Sequence, residues 1–191
     1  LEIFEISKKQ GIRSVDKICH RMELGKDTYT LGKIRPEMEE ELCRVLADFV
    51  RIMEGYRVDD YRATASSAIS EASNSLYVLG KIHQLTGLSV TVLSNSEQRF
   101  LSYKALAAME DNFNKIIEKG TAILDLDGGS FQISLFDKDA LVTTQNIRMG
   151  SLRIRERLAG IQSETEHYEE MVEELIWNEV SSFKKMYLKD R

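Results

Sequence analysis

The sequence predicts an α/β layered fold with a mixed sheet. Three observations point to it: two alternating apolar segments open the chain, strands and helices take turns from about residue 60, and a second strand–turn–strand group starts near residue 120.

The run Leu1-Glu2-Ile3-Phe4-Glu5-Ile6 alternates with period two, predicting a strand over 1–7. It reads as the middle of a sheet, so the natural protein is expected to start earlier. After Gly11, the residues Ile12, Val15, Ile18, Met22 and Leu24 predict a second extended stretch over 12–24, paired to the first through a hairpin. Thr28–Gly32 reads as a loop. Pro36 opens a helix, where its missing N–H costs nothing. Met38, Leu42, Val45, Leu46, Phe49, Val50 and Met53 then form one apolar stripe, and Gly55 closes it. Asp60–Ala65 predicts a short strand, followed by the small-residue loop Ala65-Ser66-Ser67-Ala68 and a helix over 74–85 ending at Gly87. Leu88–Leu93 is β-branched and apolar enough for a buried strand. The next helix is expected over 96–110, with Phe100, Leu101, Leu106 and Met109 inward. Thr121–Leu126 predicts another buried strand and Asp127-Gly128-Gly129 a turn. Phe131, Ile133 and Leu135 alternate into a returning strand. A strand over 140–147 leads to Gly150 and a helix from 151. The span 164–187 reads as one long helix with Met171, Leu175, Val180 and Phe183 on or near one face. The start of the second strand group places a domain boundary at Glu118–Gly120, dividing the chain into 1–119 and 120–191.

The 191 residues suffice for one large domain or one and a half small ones. Apolar residues at 42% and charged residues at 30% are the balance of a soluble globular protein. A single proline and no Ser/Gly/Pro tract leave nothing that reads as a linker. The net charge of −5 argues against a nucleic-acid partner and, short of a local basic channel, against long polyanions. Cys19 and Cys43 stand far apart in apolar contexts and read as buried small hydrophobes, not a disulfide or metal pair. No segment is long enough for a membrane span and no leader opens the chain, so the expected location is the cytoplasm.

Backbone N–H groups of a glycine-rich turn can cradle phosphate because no side chain blocks approach, and Gly128-Gly129-Ser130 fits that role. Asp-Gly between alternating strands is equally the commonest hairpin signal, and both readings can hold at once. Arg148, Arg153, Arg155 and Arg157 form a local basic cluster, for which a solvated helix face paired with Glu156 is preferred over a phosphate contact. His20, His83 and His167 lack metal spacing. Ser66 and Ser67 lack elbow glycines and a histidine partner, which argues against a serine hydrolase. The last helix, with Trp177 and the acidic Glu169, Glu170, Glu173 and Glu174, is expected to pack on its own domain, with a partner-binding surface as the alternative.

Four segments occur in order: Ala68-Ile69-Ser70-Glu71-Ala72, Leu93-Ser94-Asn95-Ser96-Glu97-Gln98, Leu124-Asp125-Leu126-Asp127-Gly128-Gly129-Ser130-Phe131-Gln132 and Met149-Gly150-Ser151-Leu152-Arg153. Together they resemble the exopolyphosphatase / guanosine pentaphosphate phosphohydrolase family, the Ppx/GppA phosphatases, over nearly the whole chain. The resemblance implies an actin-like, ribonuclease H-like first domain and the start of a second domain of the same type. It implies magnesium-dependent hydrolysis of the terminal phosphate of polyphosphate or guanosine pentaphosphate, and a homodimer is compatible with it. It further implies that the family's first phosphate loop, Asp-x-Gly-Ser-Asn, would lie before Leu1 and that the second domain continues past Arg191.

Several implied site positions hold inert substitutes. Ser70 stands where the family's arginine grips phosphate; a hydroxyl donates one hydrogen bond where a guanidinium offers a charged fork. Gln98 takes the place of the proposed catalytic base, with Glu97 retained beside it, and Gln132 replaces a glutamate assigned to metal or water. Asp127 replaces the first glycine of the third motif and Phe131 its threonine, whereas Asp125, Gly128, Gly129 and Ser130 survive. The resemblance thus assigns catalytic positions to Glu97, Gln98 and Gln132, phosphate binding to Ser70, Gly128, Gly129 and Ser130, and magnesium to Asp125. A carboxamide accepts no proton at neutral pH, so neither glutamine can be a general base. Glu97 is turned about 100° from Gln98 on the same helix, and a solvated first-turn glutamate is preferred for it. Asp127 could share a cation with Asp125, but repulsion of a polyanion is the preferred reading. Three functions follow: a weak or inactive phosphoanhydride hydrolase, a catalytically silent protein that binds an alarmone-type phosphate ligand or a partner, or a domain kept for its fold.

Overall fold

The computed structural model describes residues 1–9, 11–110, 112–159 and 167–188. The chain forms two compact units, one of Leu1–Ala65 with Ile69–Val92 and one of Ser66–Ala68 with Leu93–Arg191. The boundary expected at Glu118–Gly120 falls inside the second unit.

In the first unit, β1 (Glu2–Ser7) and β2 (Gly11–Lys17) pair antiparallel from Glu2↔Lys17 to Ser7↔Gly11. The second strand ends at Lys17, short of the expected Leu24. The expected loop at 28–32 is instead the end of a helix, α1 (Leu24–Leu31). Gly32 caps it with φ 71°, donating its N–H to Thr28 O at 3.0 Å. Helix α2 (Pro36–Tyr56) starts at the proline as expected but runs through Gly55. Arg57, at φ 54°, takes the left-handed cap and donates to the carbonyls of Glu54 and Met53, so the glycine is not needed for the turn. Strand β3 (Ala63–Ala65) pairs parallel with β4 (Val90–Val92), and between them lie α3 (Ser67–Ser70) and α4 (Ser75–Thr86), the latter capped by Gly87. The small-residue stretch expected as a loop therefore contains the start of α3. Within β4, Thr91 is exposed and both valines are half-buried, so the strand is less buried than its composition suggests.

The core of this unit gathers Ile34, Leu42, Cys43, Ile69, Ala72, Val78, Ile82 and Leu88. Cys43 is buried, and burial pushes its thiol pKa up; Cys19, in contrast to expectation, is exposed. A polar link crosses the core. Asn74 donates Nδ2 to Glu39 Oε1 at 2.8 Å and to Ile34 O at 2.8 Å, and Lys81 Nζ reaches Glu39 Oε2 at 3.3 Å.

Asp27 is 1% exposed and accepts from Arg35 N at 3.0 Å and Arg35 Nε at 2.9 Å. Burial opposes its ionisation, but the hydrogen bonds and charge of Arg35 prevail and hold its pKa below the ordinary value. The unfolded chain therefore takes up that proton first on acidification. The stabilisation is expected in full above about pH 4 and lost as pH falls through the depressed native pKa. Urea midpoints between pH 6 and 2 should fall less steeply below about pH 4 for Asp27→Asn than for the unaltered chain.

In the second unit, α5 (Asn95–Met109) and α6 (Phe113–Glu118) precede the antiparallel sheet β5 (Thr121–Leu126), β6 (Phe131–Asp137) and β7 (Ala140–Ile147), in spatial order β5-β6-β7. Helices α7 (Ser151–Leu158) and α8 (Tyr168–Tyr187) follow. The start expected for the last helix, at 164, lies outside the described residues. One face of the sheet joins α7 and α8 in a core of Ile133, Leu135, Ile147, Met149, Ile154, Leu158 and Phe183. Trp177 of α8 is 59% exposed.

Two burial expectations fail here. Leu124 and Leu126 are each 63% exposed, because β5 is an edge strand and the α7–α8 core centres on β6 and β7. On α5, Phe100, Leu101, Leu106 and Met109 are exposed and no residue is buried. The stripe that faces the sheet is polar: Gln98, Arg99, Ser102 and Tyr103. Hydrophobic periodicity selects the wrong side of a helix whose inward contacts are mainly hydrogen bonds, with one aromatic edge contact from Tyr103 to Phe136.

Candidate functional site

The glycine loop joins β5 to β6. Leu126 pairs with Phe131, and the residues between them turn the chain, closed by Asp127 N–H to Ser130 O at 3.0 Å. This is a hairpin turn, and its backbone is also held from behind. Ser151 N–H donates to Asp127 O, and the N–H groups of Leu152 and Arg153 donate to Gly128 O, at 3.0–3.1 Å. Arg153 Nε donates to Gly129 O at 2.9 Å. The orphan amides at the start of α7 are thereby satisfied by loop carbonyls. Gly150 makes the close approach possible: a Cβ there would lie within 2.5 Å of Gly129 N, and nearer still to Gly128 C and Ser130 N.

With its carbonyls fixed on one side, the loop turns two amides toward Asp127. Oδ1 of Asp127 accepts from Gly129 N at 2.7 Å and Ser130 N at 2.5 Å, and Oδ2 lies 3.4 Å from Ser130 Oγ. Gln98 Nε2 donates to Oδ2 at 3.2 Å. One turn along α5, Ser102 Oγ donates to Asp125 Oδ2 at 2.9 Å. The match is geometric: residues four apart on a helix advance about 6 Å and residues two apart on a strand about 6.6 Å, so positions 98 and 102 meet 127 and 125 in step. The same helix face continues with Arg99 to Thr144 Oγ1 at 3.2 Å and with Tyr103, which hydrogen-bonds Ser134.

Glu97 points elsewhere. It closes a capping box, accepting from Ser94 N at 2.8 Å and Ser94 Oγ at 2.7 Å, while Ser94 Oγ accepts from Glu97 N at 3.2 Å. The Ser94 backbone and hydroxyl hydrogen bonds lower its pKa. Its carboxylate is committed to the helix start and is a weaker base than a free glutamate.

Gln132 sits at the centre of the sheet face, 4% exposed, with Asp125 opposite on β5 and Asn146 opposite on β7. Gln132 Oε1 and Asn146 Oδ1 are buried without a hydrogen-bond partner. A carboxylate beside two unsatisfied amide oxygens is a hard-oxygen set, yet it carries one formal charge. Among the described residues no three His, Cys, Asp or Glu side chains converge. Within this unit the set does not fit a resident magnesium ion, whose protein ligands would need more charge or a ligand phosphate to complete them.

The structure thus brings Gln98, Asp125, Gly128, Gly129, Ser130 and Gln132 together in the second unit, and places Ser70 at the exposed end of α3. Arg155 pairs with Glu156 at 3.4 Å, whereas Arg153 joins the loop. Sequence reasoning misses Ser102, Tyr103, Ser134, Thr144 and Asn146. The signal available was the spacing of polar residues on α5, which an apolar search discards. No helix among the described residues is long and apolar enough to cross a membrane.

The sequence profile of the Ppx/GppA phosphatase family matches residues 3–190. The chain is 20% identical over 147 residues to a bifunctional 3-dehydroquinate synthase/phosphatase of Fusobacterium nucleatum, covering 76% of this chain and 22% of that protein. It is 29% identical over 108 residues to Exopolyphosphatase 1 of Mycobacterium leprae, covering 56% of this chain and 30% of that protein. Among solved structures, an exopolyphosphatase-like protein superimposes with a TM-score of 0.77 at 18% identity, over 96% of this chain and 57% of its own. The chain therefore spans less than a third of either protein relative and somewhat over half of that structure.

Proposed function

Because this chain belongs to the Ppx/GppA phosphatase family and shares its actin-like α/β fold, we propose that it is an exopolyphosphatase-like protein that releases terminal phosphate from polyphosphate or guanosine pentaphosphate slowly at most. One observation carries the reading: at the position of the family's base, Gln98 acts as a donor, its Nε2 bound to Asp127 Oδ2 at 3.2 Å. General-base attack of water on a phosphoanhydride needs a group that takes the water's proton, and an amide can at most position that water. Gln132 has the same deficiency, and Glu97 is bound to its cap. Loss of a positioned base alone lowers rates by roughly 10²–10⁴-fold.

The two substitutions are also coupled. A glutamate at 98 would bring a second carboxylate against Asp127, so restoring the base without changing Asp127 sets like charges together. Phosphate release from polyphosphate and guanosine pentaphosphate, with magnesium in the assay, is expected to run at least about 100-fold below a family member with both glutamates. Gln98→Glu is expected to add little to that rate. Brisk release by the unaltered chain, or a large gain from Gln98→Glu alone, would overturn the reading.

A further inference from the structure

We propose that Asp127 is a built-in anion that occupies the phosphate cradle of its own loop and holds it closed. The proposal deepens the reading of a poorly hydrolytic site and adds a separate cause, at binding instead of proton transfer.

A glycine-rich turn binds phosphate by directing successive backbone N–H groups at one oxygen. Here both such groups are already directed at one oxygen, Asp127 Oδ1, at 2.7 Å from Gly129 N and 2.5 Å from Ser130 N. The other carboxylate oxygen is held by Gln98 Nε2 at 3.2 Å, which keeps the side chain folded over the loop. A phosphoryl oxygen entering the turn would have to displace a charge-assisted acceptor of the same sign, tethered to the loop and so present at high effective concentration.

The cradle does not depend on that carboxylate for its shape. The loop carbonyls are anchored independently by the N–H groups of Ser151, Leu152 and Arg153 and by Arg153 Nε, and Gly150 lets α7 approach. Removing the Asp127 side chain should therefore leave two oriented donors exposed. The Gln98 amide, released from its acceptor, would become a third donor facing the same space. Asp127→Asn is the informative contrast, because a carboxamide oxygen can still accept from Gly129 and Ser130.

Tripolyphosphate is the probe, without magnesium, followed by calorimetry and by the amide resonances of Gly129 and Ser130. In the unaltered chain and in Asp127→Asn, those resonances are expected to stay in place at millimolar tripolyphosphate. In Asp127→Gly they should shift, with affinity at least about tenfold tighter than in the unaltered chain. Trp177 fluorescence establishes that the variant is folded. Movement of both resonances in the unaltered chain would overturn the proposal whatever the variant does, and so would a folded Asp127→Gly that binds no better. The readout is binding, so its failure leaves the argument from Gln98 and Gln132 untouched. Brisk hydrolysis would remove that argument and, with it, the closed cradle as a cause of slow turnover, whereas the titration reads the cradle itself.

Discussion

Gly150→Ala is expected to destabilise the second unit by about 3 kcal/mol or more, at the upper end for an overpacked site. The added methyl would meet Gly128 C, Gly129 N and Ser130 N, all backbone, at 2.5 Å or less. Backbone cannot swing aside as a side-chain end can. Either the loop or the start of α7 must move, and either movement breaks the hydrogen bonds from Ser151, Leu152 and Arg153 to the loop carbonyls. Trp177, the single tryptophan, lies in this unit and reports its unfolding in urea. Asp127, Gly129 and Ser130 amides should lose protection from hydrogen exchange first. A midpoint equal to that of the unaltered chain would show that the approach of α7 to the loop is wrongly placed.

Glu39→Ala is expected to cost the first unit about 2–4 kcal/mol, because breaking one side of a buried charged pair leaves the other uncompensated. Glu39 is 3% exposed, and its two oxygens receive Asn74 Nδ2 from one end of α4 and Lys81 Nζ from the middle. Asn74 keeps its exchange with the Ile34 backbone, donating to Ile34 O and accepting from Ile34 N. The Lys81 side chain, at 21% exposure, can turn to water, so the lower half of the range is the better expectation. Hydrogen exchange should accelerate along α2 and α4. Glu39→Gln should recover part of the loss, since its amide oxygen still accepts from Asn74 while the ion pair to Lys81 is gone.

Much of the fold was legible because it follows from local periodicity and caps. The stripe from Met38 to Met53 behind Pro36, the Gly87 cap and the hairpin around Asp127-Gly128 each act over a few residues, and each is in the structure where its pattern places it. The ordered motifs likewise carried enough to name the family and to single out Gln98, Gln132 and the glycine loop. Where local signals misled, caps and hydrogen bonds that the apolar pattern does not register decided the outcome. Thr28 to Leu31 is helical because Gly32 caps it and Arg35 pairs with the buried Asp27. Phe100 and Leu106 point outward because α5 meets the sheet through Gln98, Ser102 and Tyr103.

By itself, then, the order of residues determined that positions 98 and 132 carry amides, which accept no proton at neutral pH in any conformation. Only the tertiary structure decided where the charge of Asp127 goes. A carboxylate at that position could have faced solvent, a cation or an incoming anion. It faces the two amides beside it because α7, packed through Gly150, holds the loop's carbonyls away and leaves those N–H groups directed at the nearest acceptor.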